Sequence, residues 1–119
     1  MLPARYRMTR SADFGLTVTK GVRAVQPDLV VHAIHAPDGG SDVPKIGLVV
    51  SKSVGTAVQR HRVARKLRHV ARGVMGELNA GDKVVIRALP GSRQAVSARL
   101  EQELRTALRR TQERAGATR

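Results

Sequence analysis

The 119-residue sequence predicts an α+β fold, a two-layer sandwich of a four-stranded sheet and its helices in the order α-β-β-β-α-β-α. Three observations carry this expectation. Residues 29–36, 45–51 and 83–88 are β-branched, apolar and of strand length. Residues 56–78 and 93–113 instead repeat apolar positions every three or four residues, the period of a helix with one buried side. The two patterns alternate along the chain, and a strand, a helix and a strand in succession form a crossover unit on one sheet. At this length the chain makes one domain, 1–119, with a single modest core.

Residues 1–10 interleave arginines with polar and apolar residues, the pattern of a basic, partly mobile arm. Ser11 reads as the N-cap of a short helix, Asp13 complements its dipole, and Gly21 stops it. Phe14 and Val18, four apart, share a face of that helix, most simply the core face. A short strand at 22–25 precedes a linker containing Pro27. Residues 29–36 are the next strand, 37–44 a flexible hairpin connection by their turn residues, and 45–51 a strand apolar on both faces, expected at the sheet centre. Thr56 followed by Gln59 is a capping box, and Val63, Leu67, Val70, Val74 and Leu78 form the buried stripe of the helix it opens. Gly73 and Gly76 loosen its second half. Ala80-Gly81-Asp82 turns into the strand 83–88, and Pro90-Gly91-Ser92 ends it. The last helix starts at Arg93 or Ser97 and runs to about Glu113, burying Val96, Leu100, Leu104, Ala107 and Leu108. Residues 115–119 form a frayed tail.

Charge is the second organising feature. The formal net charge is +13 and the sequence pI about 11.7, which points to a polyanionic partner. Between Asp42 and Glu77 there is no carboxylate, yet the interval holds eight Lys and Arg residues. At about 100° per residue, His61, Arg62, Arg65, Arg68, His69 and Arg72 fall opposite the apolar stripe, with Lys66 flanking. Arg60, in the first turn, sits at the boundary and points toward the sheet. An ordinary solvated helix face mixes signs to gain i,i+4 pairs, and this one has no acid to pair with. Nucleic acid is therefore the favoured partner.

Other chemistries lack their residues. The chain has no cysteine, hence no disulfide or thiolate metal site. His32 and His35 alternate faces on a strand, and His61 and His69 lie about 12 Å apart along a helix, so neither pair clasps a metal. The few acids have no acid/base or two-metal spacing. Gly39-Gly40 is not followed by the Lys-Ser/Thr of a phosphate loop. No stretch reaches the ~20 apolar residues of a membrane span, nor does the N-terminus carry a signal segment. The expected location is the cytoplasm. With Tyr6 and Phe14 as the only aromatics, base stacking is available at few positions.

The run Ser51-Lys52-Ser53-Val54-Gly55-Thr56-Ala57-Val58-Gln59-Arg60-His61-Arg62-Val63-Ala64-Arg65-Lys66-Leu67-Arg68 resembles the signature of the bacterial ribonuclease P protein subunit. There a strand ends in Ser-Lys, Val/Ile-Gly begins the helix, and an Arg-Asn-Arg element precedes spaced Arg or Lys. Residues 10–14, 46–50 and 82–87 are similar to that family's first helix, central strand and last strand. The resemblance implies a fold like the second domain of a small-subunit ribosomal protein, with a left-handed βαβ crossover. It also implies a holoenzyme in which a large RNA, holding Mg2+, hydrolyses the 5′ leader from precursor tRNA. No catalytic residue is then expected in the protein. Arg60, His61, Arg62, Arg65, Lys66, Arg68 and Arg72 would bind the RNA subunit, and Phe14, Val18, His32 and Lys52 would line a cleft for the leader. A monomeric protein in a 1:1 complex with the RNA is implied. Two positions depart from the pattern: His61 replaces the central Asn, and Val18 and His32 stand where aromatics are common. The rival reading is a ribosomal-type or RNA-chaperone protein that takes part in no reaction. A membrane-surface protein is a distant third, because the basic helix sets its apolar stripe against a sheet.

Overall fold

Thr56 opens the central helix as its sequence requires. Its hydroxyl accepts from the Gln59 backbone N–H at 3.2 Å, and its own N–H donates to Gln59 Oε1 at 2.8 Å, so the capping box is complete. The residue before it, Gly55, has φ +152°, and a Cβ there would collide with the Gln59 amide. Only glycine permits this entry.

The computed structural model describes residues 2–35 and 43–117. Its elements are α1 (Ser11–Lys20), β1 (Val22–Val25), β2 (Leu29–Ile34), β3 (Lys45–Val49), α2 (Ala57–Val74), β4 (Lys83–Ala88) and α3 (Ser97–Ala117). Single 3-10 turns occupy Ala4–Tyr6, Lys52–Val54, Met75–Glu77 and Pro90–Arg93. The sheet order is β1-β2-β4-β3, antiparallel except for the β3–β4 pair, which α2 connects in parallel. The predicted α+β class and element order stand.

Alternation sorts the sheet into two faces. Ala24, Val31, Ala33, Ile46, Val84 and Ile86 face the core, where Val63, Leu67, Val70 and Val74 of α2 and Leu100, Leu104, Ala107 and Leu108 of α3 close over them. Each Val, Leu or Ile among them contributes about 1.5–3 kcal/mol by leaving water. α1 packs across β2 and β4 on the opposite face, covering one end and leaving the other open. The covered end is tight: a Cβ on Gly47 would run into the Phe14 ring.

Several expectations require correction. β3 is an edge strand, and β4, with Val84, Val85 and Ile86 fully buried, holds the centre. β3 is apolar on both faces because Phe14 covers Gly47 and because residues 2–8 close over its free edge. In that segment Met8 N–H donates to the Ile46 carbonyl at 2.9 Å, and Leu2 and Met8 are buried. Residues 2–8 are thus docked on the β3 edge, where a partly mobile arm was expected. β2 and β3 do not form a hairpin, since β4 lies between them; residues 37–42 of the expected turn and residue 36 of the expected strand lie outside the described residues. Ser11 is the first helical residue and Arg10 the cap, with no side-chain capping bond. Val96 precedes α3 and is exposed, its place in the buried stripe taken by Glu103 and Thr111. The helix continues through Ala117, past the point where fraying was expected; residues 118–119 lie outside the described residues.

Two buried polar clasps pin α3 to the sheet. His35, at the end of β2, places Nδ1 3.2 Å from Asp82 Oδ2 and Nε2 2.9 Å from Thr111 Oγ1. This has the order of a nucleophile–base–acid relay, but Thr111 is completely buried and no substrate can reach it, so it acts as a fastening. At the β1–β2 turn, the Asp28 N–H donates to Glu103 Oε1 at 2.8 Å. Arg99 Nε lies 2.8 Å from Asp28 Oδ2 as an ion-pair contact while directing its N–H at Glu103 Oε2, 3.2 Å away.

Candidate nucleic-acid interface

The core stripe of α2 fixes the direction of everything else on that helix. With Val63, Leu67, Val70 and Val74 inward, His61, Arg62, Arg65, His69 and Arg72 are exposed. Among the described residues six acids are engaged elsewhere, Asp13 with Lys83, Asp28 and Glu103 with Arg99, Glu77 and Glu101 with Arg105, and Asp82 with His35, while Glu113 lies near the far end of α3. None of these ion pairs reaches α2. Its cations therefore repel one another without internal relief, an arrangement stabilised by an external polyanion.

The seven residues expected to bind RNA do not all point the same way. Arg62, Arg65 and His69, with Lys66, Arg68 and Ser97, surround a groove of about 580 Å³ between α2 and the head of α3. Lys66 is tethered there, its ammonium donating to the Ala95 carbonyl at 2.8 Å. Its stem forms groove wall, and part of its charge is already spoken for. Arg60 and Arg68 are half-buried and turn toward β3, bordering a second hollow of about 260 Å³ with Val50, Ala57, His61 and Ala64. Arg60 Nε is sealed there with no hydrogen-bond partner. The boundary position assigned to Arg60 from the helical period thus has its physical counterpart.

On the opposite face, the edge of α1 borders the uncovered end of the sheet, the place where the resemblance implies a cleft. Phe14 is half-buried against Gly47, and Val18 is 45% exposed at the rim. Thr17, not Val18, points into the sheet: it is fully buried, and its hydroxyl is satisfied by the Asp13 carbonyl at 2.7 Å. His32 lies in the floor, 8% exposed, and Lys52 is exposed in the turn after β3. Register adds two residues that the sequence reading did not single out. Arg23 on β1 is directly opposite His32, and Arg87 on β4 is one diagonal away, two residues beyond His32's partner Val85. Both side chains are exposed. Their signal was present: Arg87 stands between core-facing Ile86 and Ala88, which turns it outward by alternation. What hid it was that the strand reads as buried throughout. Burial first, then the charges of Arg23 and Arg87, hold the His32 imidazole below its ordinary pKa of 6.5, so it is neutral at neutral pH.

No group of three or more His, Cys, Asp or Glu among the described residues is placed to hold a metal ion. Among the described residues, then, no donor set fits a protein-held Mg2+. No described helix is long and apolar enough to cross a membrane.

Fold and surface together define a small, strongly basic α+β protein, with a cationic helix on one side of its sheet and exposed arginines on the other. The family model for ribonuclease P matches residues 2–112. The chain belongs to the ribonuclease P protein family. It is 60% identical over 117 residues to the ribonuclease P protein component of Mycolicibacterium vanbaalenii, covering 98% of each chain. To that of Mycobacterium avium it is 64% identical over 112 residues, covering 92% of this chain and 94% of the relative. The fold is similar to the RNase P protein of Staphylococcus aureus, with a TM-score of 0.74 at 23% identity over 87% of this chain and 93% of that one. The RNase P protein of Thermotoga maritima gives 0.70 at 21% identity over 84% and 92%.

Proposed function

We propose that this chain is the protein subunit of a ribonuclease P ribonucleoprotein, binding the catalytic RNA through α2 and the 5′ leader of precursor tRNA in the α1–sheet cleft. The observation that carries this reading is the row of α2 cations for which the described residues supply no acid. Arg62, Arg65 and Arg72 neutralise phosphates of the RNA subunit and release counterions, while Arg60 and Arg68 extend the contact around the β3 edge. His61 and Lys66 contribute hydrogen bonds to the same face. The protein forms a 1:1 complex with the RNA in the cytoplasm. Hydrolysis of the leader phosphodiester belongs to the RNA and the Mg2+ it holds. The protein's part is to bring two polyanions together and lower the repulsion that opposes metal binding where they meet.

Reconstitution at low Mg2+ tests the reading. RNA alone is expected to leave precursor tRNA uncut and RNA plus protein to process it. Processing unchanged by the protein would leave the ribosomal-type or chaperone reading instead. Arg62→Ala and Arg65→Ala are each expected to reduce the salt dependence of RNA-subunit binding by roughly one unit of slope, the amount lost with one phosphate contact. An unaltered slope would mean that these side chains face solvent in the complex.

A further inference from the structure

The cleft described above is poor in rings and rich in cations. Its one aromatic, Phe14, spends a ring face on Gly47, against which it is packed too closely for any Cβ. Val18 has no π-face to offer. His32 is embedded in the floor at 8% exposure and so presents an edge rather than a stacking surface. A base entering here finds little to stack on.

Donors, in contrast, are in series. Arg23, on the β1 edge strand, faces the cleft directly across from His32. Arg87 flanks His32 from β4, at a diagonal that long side chains span. Neither guanidinium takes part in an ion pair among the described residues. His32 adds a third donor. Its Nδ1 is buried without a hydrogen-bond partner, and a bare lone pair is the lesser cost there than a stranded N–H. The proton of the neutral ring therefore resides on Nε2, the nitrogen left to meet a ligand. Arginine, imidazole N–H and arginine in a row on a rigid sheet match the oxygens of a phosphodiester backbone.

Resting on the leader-cleft reading, we propose that this chain grips the leader by its phosphates through Arg23, His32 and Arg87, and not by stacking its bases. The consequence is a cleft indifferent to leader sequence, in which charge does the holding that rings would otherwise do.

The test uses the reconstituted complex of protein and RNA subunit, with four precursor tRNAs: an unmodified leader, a leader with abasic sites, a leader with neutral methylphosphonate linkages, and no leader. Methylphosphonates are expected to weaken binding about fivefold or more, and abasic sites to change it less than about twofold. Arg23→Ala and Arg87→Ala, at exposed positions where folding is not at stake, should each reduce the methylphosphonate effect, and together abolish most of it. Each should also lower the salt slope by about 0.7, the value for a single strand. Losses from abasic sites equal to or larger than those from methylphosphonates overturn the proposal, as does indifference to both in a complex that still prefers a leader. Equal binding with and without a leader would instead remove the cleft reading on which it rests.

Discussion

Glu103 occupies a position in α3 where the helical period calls for an apolar side chain. Burial, then hydrogen bonding with the Asp28 side chain, raises its pKa above the ordinary 4.5. A carboxyl whose folded-state pKa is raised stabilises the fold below its unfolded value, and that contribution is lost as pH rises through the folded-state value. Glu103→Gln keeps an acceptor for the Asp28 N–H and cannot ionise. The variant's melting temperature is therefore expected to fall less than the wild type's as pH climbs from about 4.5. Parallel pH profiles would show that the carboxyl is under no such tension. Neither this residue nor Thr17 was legible in the sequence, because a polar side chain on a buried face is betrayed only by its partner, and the partners are 75 residues and one helical turn away respectively. Arg23 and Arg87 were hidden differently. Their facing follows from alternation, but their approach to His32 follows from strand order.

The elements were read most surely where the signal is local. The α2 cap, the buried Val63, Leu67, Val70 and Val74, and the exposed His61, Arg62, Arg65, His69 and Arg72 all depend on residues within one or two turns and stand in the structure. The helix itself ends at Val74, leaving Leu78 beyond a 3-10 turn, and Arg68 turns toward β3. Thr56→Ala is expected to cost about 1 kcal/mol of stability, as loss of a capping hydroxyl does. Equilibrium denaturation measures it, and a neutral substitution would mean that the preceding 3-10 turn alone sets the helix start. β3 and α1 were read less well for one shared reason. The apolar outer face of β3 looked like that of a central strand, when in fact a helix and the N-terminal segment supply the cover that neighbouring strands would give. Hydrophobic pattern reports whether a surface is covered and is silent about what covers it.

Over the whole molecule, stability and charge occupy separate territories. Acids cluster where α3 meets the sheet and the end of α2, and there they engage Arg99, Arg105 and His35. Cations outside these ion pairs line α2 and the open sheet face, and among the described residues Arg109 and Arg110 of α3 join them. Deleting residues 1–8 tests whether the N-terminal segment belongs to the first territory. Loss of buried Leu2 and Met8 and of the cover over Ile46 should cost roughly 3 kcal/mol. Urea denaturation would register it, and a truncated chain as stable as the full one would restore the segment to the status of a loose arm.

The insertion of β4 between β2 and β3 also sets a timetable for synthesis. Until residue 88 has left the ribosome, the β1–β2 hairpin and the β3–α2 segment share no ladder, because the strand that joins them is still to come. During that interval the arginines of α2 are already in the open, beside the densest concentration of RNA in the cell.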